Sequence, residues 1–114
     1  MKTFNNLAGF KRHLGIGVEL HAVQHTAFAG REPDTGRVIY KDQDMGVRPV
    51  SIVQSNSFAC KTEKSDGKVV DSWCGYPKAS ECRIENNTLT ILEEDMRGPD
   101  PTHEMIPVLS YKFV

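Results

Sequence analysis

Between Phe4 and Leu14 the apolar residues Phe4, Leu7, Phe10 and Leu14 recur every three or four positions, the period of one helix face, and Gly15 stands just beyond as a C-cap. Thr3 or Asn5 is the expected N-cap. Lys11, Arg12 and His13 fall in the last turn, where positive charge meets the negative end of the helix dipole. A short amphipathic helix covering one open side of a sheet is therefore expected. After Gly15 the period becomes two: Ile16, Val18, Leu20 and Ala22 alternate with polar positions in a half-buried strand that runs on towards Phe28. The segment 30–37, with Gly30, Pro33 and Gly36, reads as a turn, and Val38-Ile39-Tyr40 as a returning arm. Lys41 to Gly46 reads as a polar connection.

The second half has the cleaner pattern. Val50 and Ile52 are expected on one face of a strand, and Phe58, Cys60 and Thr62 on one face of the next. Asp66-Gly67 is a hairpin turn leading into a strand from Val69 to Cys74. Residues 80–85 alternate with Cys82 and Ile84 inward, Asn86-Asn87 turns the chain into Thr88–Leu92, and residues 95–104 form a loop. Leu109, Tyr111 and Phe113 share a face of the last strand. One helix and six or seven short strands joined by hairpin turns predict an α+β, mostly β fold: an N-terminal helix followed by an antiparallel, strongly bent sheet or an SH3-like, partly open barrel.

The length, 114 residues, fits one domain spanning 1–114, and 39% hydrophobic with 25% charged residues is an ordinary globular composition. No apolar run approaches the ~20 residues of a membrane span, and the N-terminus lacks the apolar core of a secretory signal, so a cytoplasmic protein is expected. The net charge of −1 leaves no global footprint for a polyanion. Residues 1–41 carry six basic and three acidic side chains, whereas residues 93–114 carry two and five. The acidic end, with Glu93, Glu94 and Asp95, is suited to a basic surface on a partner, where complementarity speeds association.

Candidate chemistry is sparse. His21 and His25 have the spacing of a zinc-protease helix, but Ala22 stands where the general-base Glu belongs, and on a strand the pair lies ~13 Å apart. Cys60, Cys74 and Cys82 match no zinc knuckle and are expected as free thiols, Cys60 and Cys82 packed in the core. No serine lies in a nucleophile elbow, and Gly15-Ile16-Gly17 lacks the third glycine of a dinucleotide loop. No cofactor is expected. Phe58, Trp73 and Tyr76 interleave with Lys61, Lys64, Lys68, Lys78 and Arg83, the ingredients of nucleotide or single-strand nucleic-acid stacking, diluted by Glu63, Asp66, Asp71 and Glu81.

The stretches Gly46–Phe58, Asp71–Glu81 and Asn87–Ile91 together resemble short proteins encoded in bacteriophage genomes. The resemblance implies a small accessory factor acting by binding, to a host protein or defence complex, a signalling nucleotide or nucleic acid. The leading expectation is a non-enzymatic binding protein that inhibits a host protein or defence system, with Trp73, Tyr76, Arg48, Lys78, Glu93, Glu94 and Asp95 as its partner-binding residues. The alternatives are a nucleotide or single-stranded nucleic-acid module and a small metal-dependent hydrolase using His21, His25 or the acidic triplet. Uncovered sheet edges also make a homo-oligomer an expectation.

Overall fold

The computed structural model describes residues 4–114. Helix α1 spans Leu7–His13, and its N-cap is Asn6, whose Oδ1 accepts from the Gly9 N–H at 2.7 Å. Asn6, not Asn5, has the position from which a short side chain reaches the third helical N–H; Thr3 lies outside the described residues. At the other end Leu14, not Gly15, closes the helix, its N–H bonding to the carbonyls of Phe10 and Lys11.

Seven strands follow: β1 Glu19–Arg31, β2 Val38–Val53, β3 Ser57–Glu63, β4 Val69–Gly75, β5 Cys82–Glu85, β6 Thr88–Glu94 and β7 Met105–Phe113. They form one antiparallel sheet in the order β4-β3-β2-β1-β7-β6-β5, open at both edges, so the fold is α+β and mostly β. Asn86 and Asn87, both at positive φ, make the tight β5–β6 turn, as asparagine tolerates left-handed backbone better than most side chains.

The bend comes from β2. Its residues 38–49 pair with β1, whereas only Val50 to Val53 pair with β3. A bulge after Val50 marks the change and increases the local twist. Across the curl, Phe58 of β3 meets Tyr111 of β7 with ring centroids 5.2 Å apart, although two strands separate them. Helix α1 covers the hollow, and Phe10, fully buried, touches Phe4, Phe58 and Phe113. Leu20, Ala22, Val50, Cys60, Cys74 and Leu89 complete this core.

Three further sequence expectations change. The polar run Lys41 to Gly46 is strand, not connection, because β1 supplies its backbone partners whatever its side chains. Ile16 does not begin a strand; β1 starts at Glu19 and Ile16 is exposed. The bulge places Ile52 opposite Ala59 rather than on the face of Val50. Among the described residues no helix is long and apolar enough to cross a membrane.

The three cysteines are free thiols; Cys60 is buried as expected, but the second buried thiol is Cys74, while Cys82 is only half-buried against the edge of the core. Burial raises the pKa of all three, that of Cys74 to about 11. Only thiolate reacts with a disulfide reagent. In native protein at pH 8, Ellman's reagent should therefore titrate Cys82 slowly, and Cys60 and Cys74 only after denaturation. Rapid labelling of all three would contradict this core.

Candidate functional site

The longest hairpin of the sheet leaves its neighbours halfway along. Pairing between β1 and β7 stops at Gln24–Leu109, and pairing between β2 and β3 begins only at Val50–Cys60. From His25 to Arg48 the β1–β2 hairpin is therefore an arm with a cleft on each side. Its end carries exposed Phe28, opposite Tyr40 in the register, and exposed Ile39.

The base of the arm is pinned by three strands. Asp42 of β2 accepts from His25 Nδ1 of β1 at 2.7 Å, and His25 Nε2 lies 3.0 Å from the Ser110 hydroxyl of β7. With Nδ1 donating, Nε2 of the neutral ring accepts the Ser110 proton. A second pair, His21 Nε2 and Asp44 Oδ1 at 2.7 Å, lies four residues further down β1. The Gly46 N–H, followed by His21, holds the Asp44 carboxyl below its usual range. The Asp42-His25-Ser110 order is that of a hydrolase triad, and sequence spacing gave no sign of it. Ser110, however, is buried and registered between Val23 of β1 and Thr90 of β6, so its strand is paired on both sides. Here the trio ties three strands together, Asp42 of β2, His25 of β1 and Ser110 of β7.

Higher up, the β6–β7 loop reaches across to the arm. Asp95 is buried, and its carboxylate accepts from Arg97 Nε at 2.9 Å, Arg97 Nη2 at 3.1 Å, Thr102 Oγ1 at 2.9 Å, the Arg97 backbone N–H at 3.2 Å and Arg37 Nη2. Arg97 also donates to the Val38 carbonyl at 2.9 Å and lies over the Tyr40 ring. The Arg97 side chain first, then its backbone N–H, Thr102 and the charge of Arg37, hold the Asp95 carboxyl far below the carboxylate range against the opposing effect of burial. Asp95 is thus a strut, not a free acidic surface residue.

Between pin and strut lies a cleft of about 610 Å³. Thr26 and Tyr40 form its arm wall, Ile106 and Val108 its apolar floor, and Glu93, Glu94 and exposed Met96 its outer rim. Glu94 Oε1 lies 2.8 Å from His103 Nδ1. The cleft on the other side of the arm, about 340 Å³, is lined by Val47, Arg48, Lys61, Thr62 and Val69 among others. Arg48 Nε donates there to the Met45 carbonyl, and Lys61 is paired with Asp71 at 2.9 Å.

Comparison with protein-family models, curated proteins and solved structures finds no match. The geometry alone must carry the functional reading.

The structure divides the residues singled out in the sequence. Glu93 and Glu94 share the larger cleft with Asp95 behind them. Trp73 is 52% exposed on the outer face of β4, registered against Ala59. Tyr76 instead packs on fully buried Phe58 at 5.7 Å, under the Lys11 ammonium at 4.4 Å. Phe58, Trp73 and Tyr76 are therefore not one stacking platform, because alternation along the strands sends them to opposite faces. Lys78 is exposed ahead of the 3-10 turn Ala79–Glu81, where its backbone N–H donates to Glu81. Among the described residues no three His, Cys, Asp or Glu side chains converge as a metal-binding set. Sequence reasoning missed Thr26, Phe28, Tyr40 and Met96; the available signal was the run of strand-compatible residues from Val38 to Val53, longer than any apolar pattern within it.

Proposed function

We propose that this protein is a non-enzymatic binding module that engages a protein partner through the β1–β2 arm and the cleft beside it. The observation that carries the reading is the pair of exposed apolar side chains on the arm and at the cleft: Phe28, registered against the cleft residue Tyr40, is 62% exposed, and Met96, which lines the cleft with Ile106, Val108, Glu93 and Glu94, is 60% exposed. Large exposed apolar groups framed by charge are the usual mark of a protein-binding surface. Inhibition of a host protein or defence complex, the leading expectation from the sequence, is the role proposed for this surface. The separation of Trp73 from Tyr76 and Phe58 removes the observation that favoured a nucleic-acid module.

The test compares proteins retained from bacterial host lysate by the wild type and by the double variant Phe28→Asp, Met96→Asp. Both side chains are exposed, so the variant should keep its melting temperature within a few degrees, as surface substitutions do, roughly ±0.5 kcal/mol each. A protein retained by the wild type and lost by the folded variant is the expected result. Identical retained sets would remove the arm from the binding surface.

A further inference from the structure

We infer that the cleft between the arm and β7 receives an extended segment of the partner, carrying basic side chains, as an added β-strand. The inference rests on the binding reading above and specifies what that site takes. Two unpaired strand edges face the cleft. β7 is paired with β6 as far as Met105, but its pairing with β1 ends at Leu109, so Met105–Val108 have no register partner on the arm side. From Ala27 onwards β1 is registered only with β2. Strand edges of this kind are templates for pairing with another chain, and main-chain hydrogen bonds to an extended segment satisfy them.

The cleft walls are tied at both ends, which leaves room along the free edges for a short extended segment. The His25–Ser110 contact ties the two walls together at the base, and the Arg37–Asp95 and Arg97–Val38 contacts tie them at the top. Four residues of free edge correspond to ~13 Å of strand at ~3.3 Å per residue, with Pro107 supplying a carbonyl but no N–H to the pairing. Pairing there places alternate side chains over the apolar floor of Ile106 and Val108 and against the rim.

Charge selects the occupant. Glu93 and Glu94 stand on the rim, and Glu104 follows in the adjoining loop. The nearby cations Arg37 and Arg97 are both committed to Asp95. His103 faces Glu94 but leaves Glu93 without an ion-pair partner among the described residues. An apolar segment with Lys or Arg at alternate positions complements this rim; an acidic one is repelled by it. Mixed arrangements in which an acidic segment binds equally well are incompatible with the assignment.

The probe is a fluorescein-labelled eight-residue peptide of alternating valine and lysine, compared with its valine–glutamate counterpart and with a valine–lysine peptide N-methylated at alternate residues, which cannot pair as a strand. Fluorescence anisotropy at low salt and amide chemical shifts of the full-length protein are recorded together. The expected result is binding of the valine–lysine peptide with shifts centred on Thr26, Ile106 and Val108, at least tenfold weaker binding of the other two, and reversal of the charge preference in Glu93→Lys, Glu94→Lys. No binding of the valine–lysine peptide, equal binding of the N-methylated peptide, or shifts confined to other strands would overturn the inference. A concentration-dependent dimer protecting the same amides would assign the cleft to a second copy and overturn it equally. Retention of a lysate partner that is lost in Phe28→Asp, Met96→Asp, together with failure of all three peptides, would leave the binding reading standing and this inference refuted.

Discussion

Asp95→Asn releases the arm. The carboxylate accepts five hydrogen bonds from two guanidinium groups, one hydroxyl and one backbone N–H. An asparagine offers one acceptor oxygen, and its NH₂ group meets a guanidinium that also only donates. Arg37 Nε already has no partner in this packing, so removal of the carboxylate leaves still more of that side chain unsatisfied next to an uncompensated Arg97. The loop from Asp95 to Glu104, held at its neck by the Asp95–Glu104 and His103–Asp95 backbone bonds, then loses its tie to Val38 and Tyr40. Hydrogen exchange at Val38, Ile39 and Tyr40 should accelerate by roughly tenfold or more, as for a segment moved to the low end of local stability, while Leu20, Phe58 and Leu89 in the core change little. The melting temperature should fall, and valine–lysine peptide binding should weaken with the loss of a fixed cleft. Unchanged exchange at Val38–Tyr40 would show that the strut does not hold the arm.

The same carboxylate sets an acid limit. Its folded pKa is depressed below the ordinary value of 3.8, so it binds protons less readily folded than unfolded. Its contribution is fully present above that ordinary value and is lost progressively as pH falls below it towards the folded pKa. Arm exchange in the wild type should therefore rise only below pH about 4, and Asp95→Asn should show no such step at that site. A wild-type step well above pH 4 would show that Asp95 does not set this limit.

Phe10→Ala should cost about 3–5 kcal/mol, the range for removing a buried phenylalanine. Against a total of about 5–15 kcal/mol for a domain, that is a large fraction, and the melting temperature should fall by about 10–20 °C. The reason lies in the helix. Seven residues are too few to be helical alone, so α1 persists because Phe10 anchors it among Phe4, Phe58 and Phe113, with ring centroids 6.0, 5.9 and 5.3 Å away. The approach is close enough that a Cβ on Gly9 would stand 2.6 Å from that of Phe4. The alanine variant loses the ring, leaves a void at the centre of the bend and frees the helix. Phe10→Leu, which keeps much of the volume, should lose less. A Phe10→Ala protein melting within two or three degrees of the wild type would show that the helix is not a core element.

Where a side chain's face is set by its own strand, the amino-acid sequence is decisive. Period-two alternation placed Phe58 and Cys60, Cys82 and Ile84, and Leu109, Tyr111 and Phe113 on single faces, and all of these are buried or packed against the core. Asp66-Gly67 and Asn86-Asn87 located their hairpins because those residues accept the backbone angles that tight turns demand. The helix was legible from its spacing to within a few residues, though the cap moved to Asn6. The arm was not legible. A hairpin exposed on both sides has no apolar stripe to betray it, so Lys41 to Gly46 looked like a connection although every backbone partner lay across on β1. The acidic triplet was visible as composition, yet its residues separated: Glu93 and Glu94 rim a cleft, while Asp95 is buried beneath two arginines 58 and 2 residues away in the chain. Side-chain alternation is a local property of strand geometry and can be read residue by residue. Which strands part, and which charges then meet across the gap, depends on long-range register, and only the folded sheet decides it.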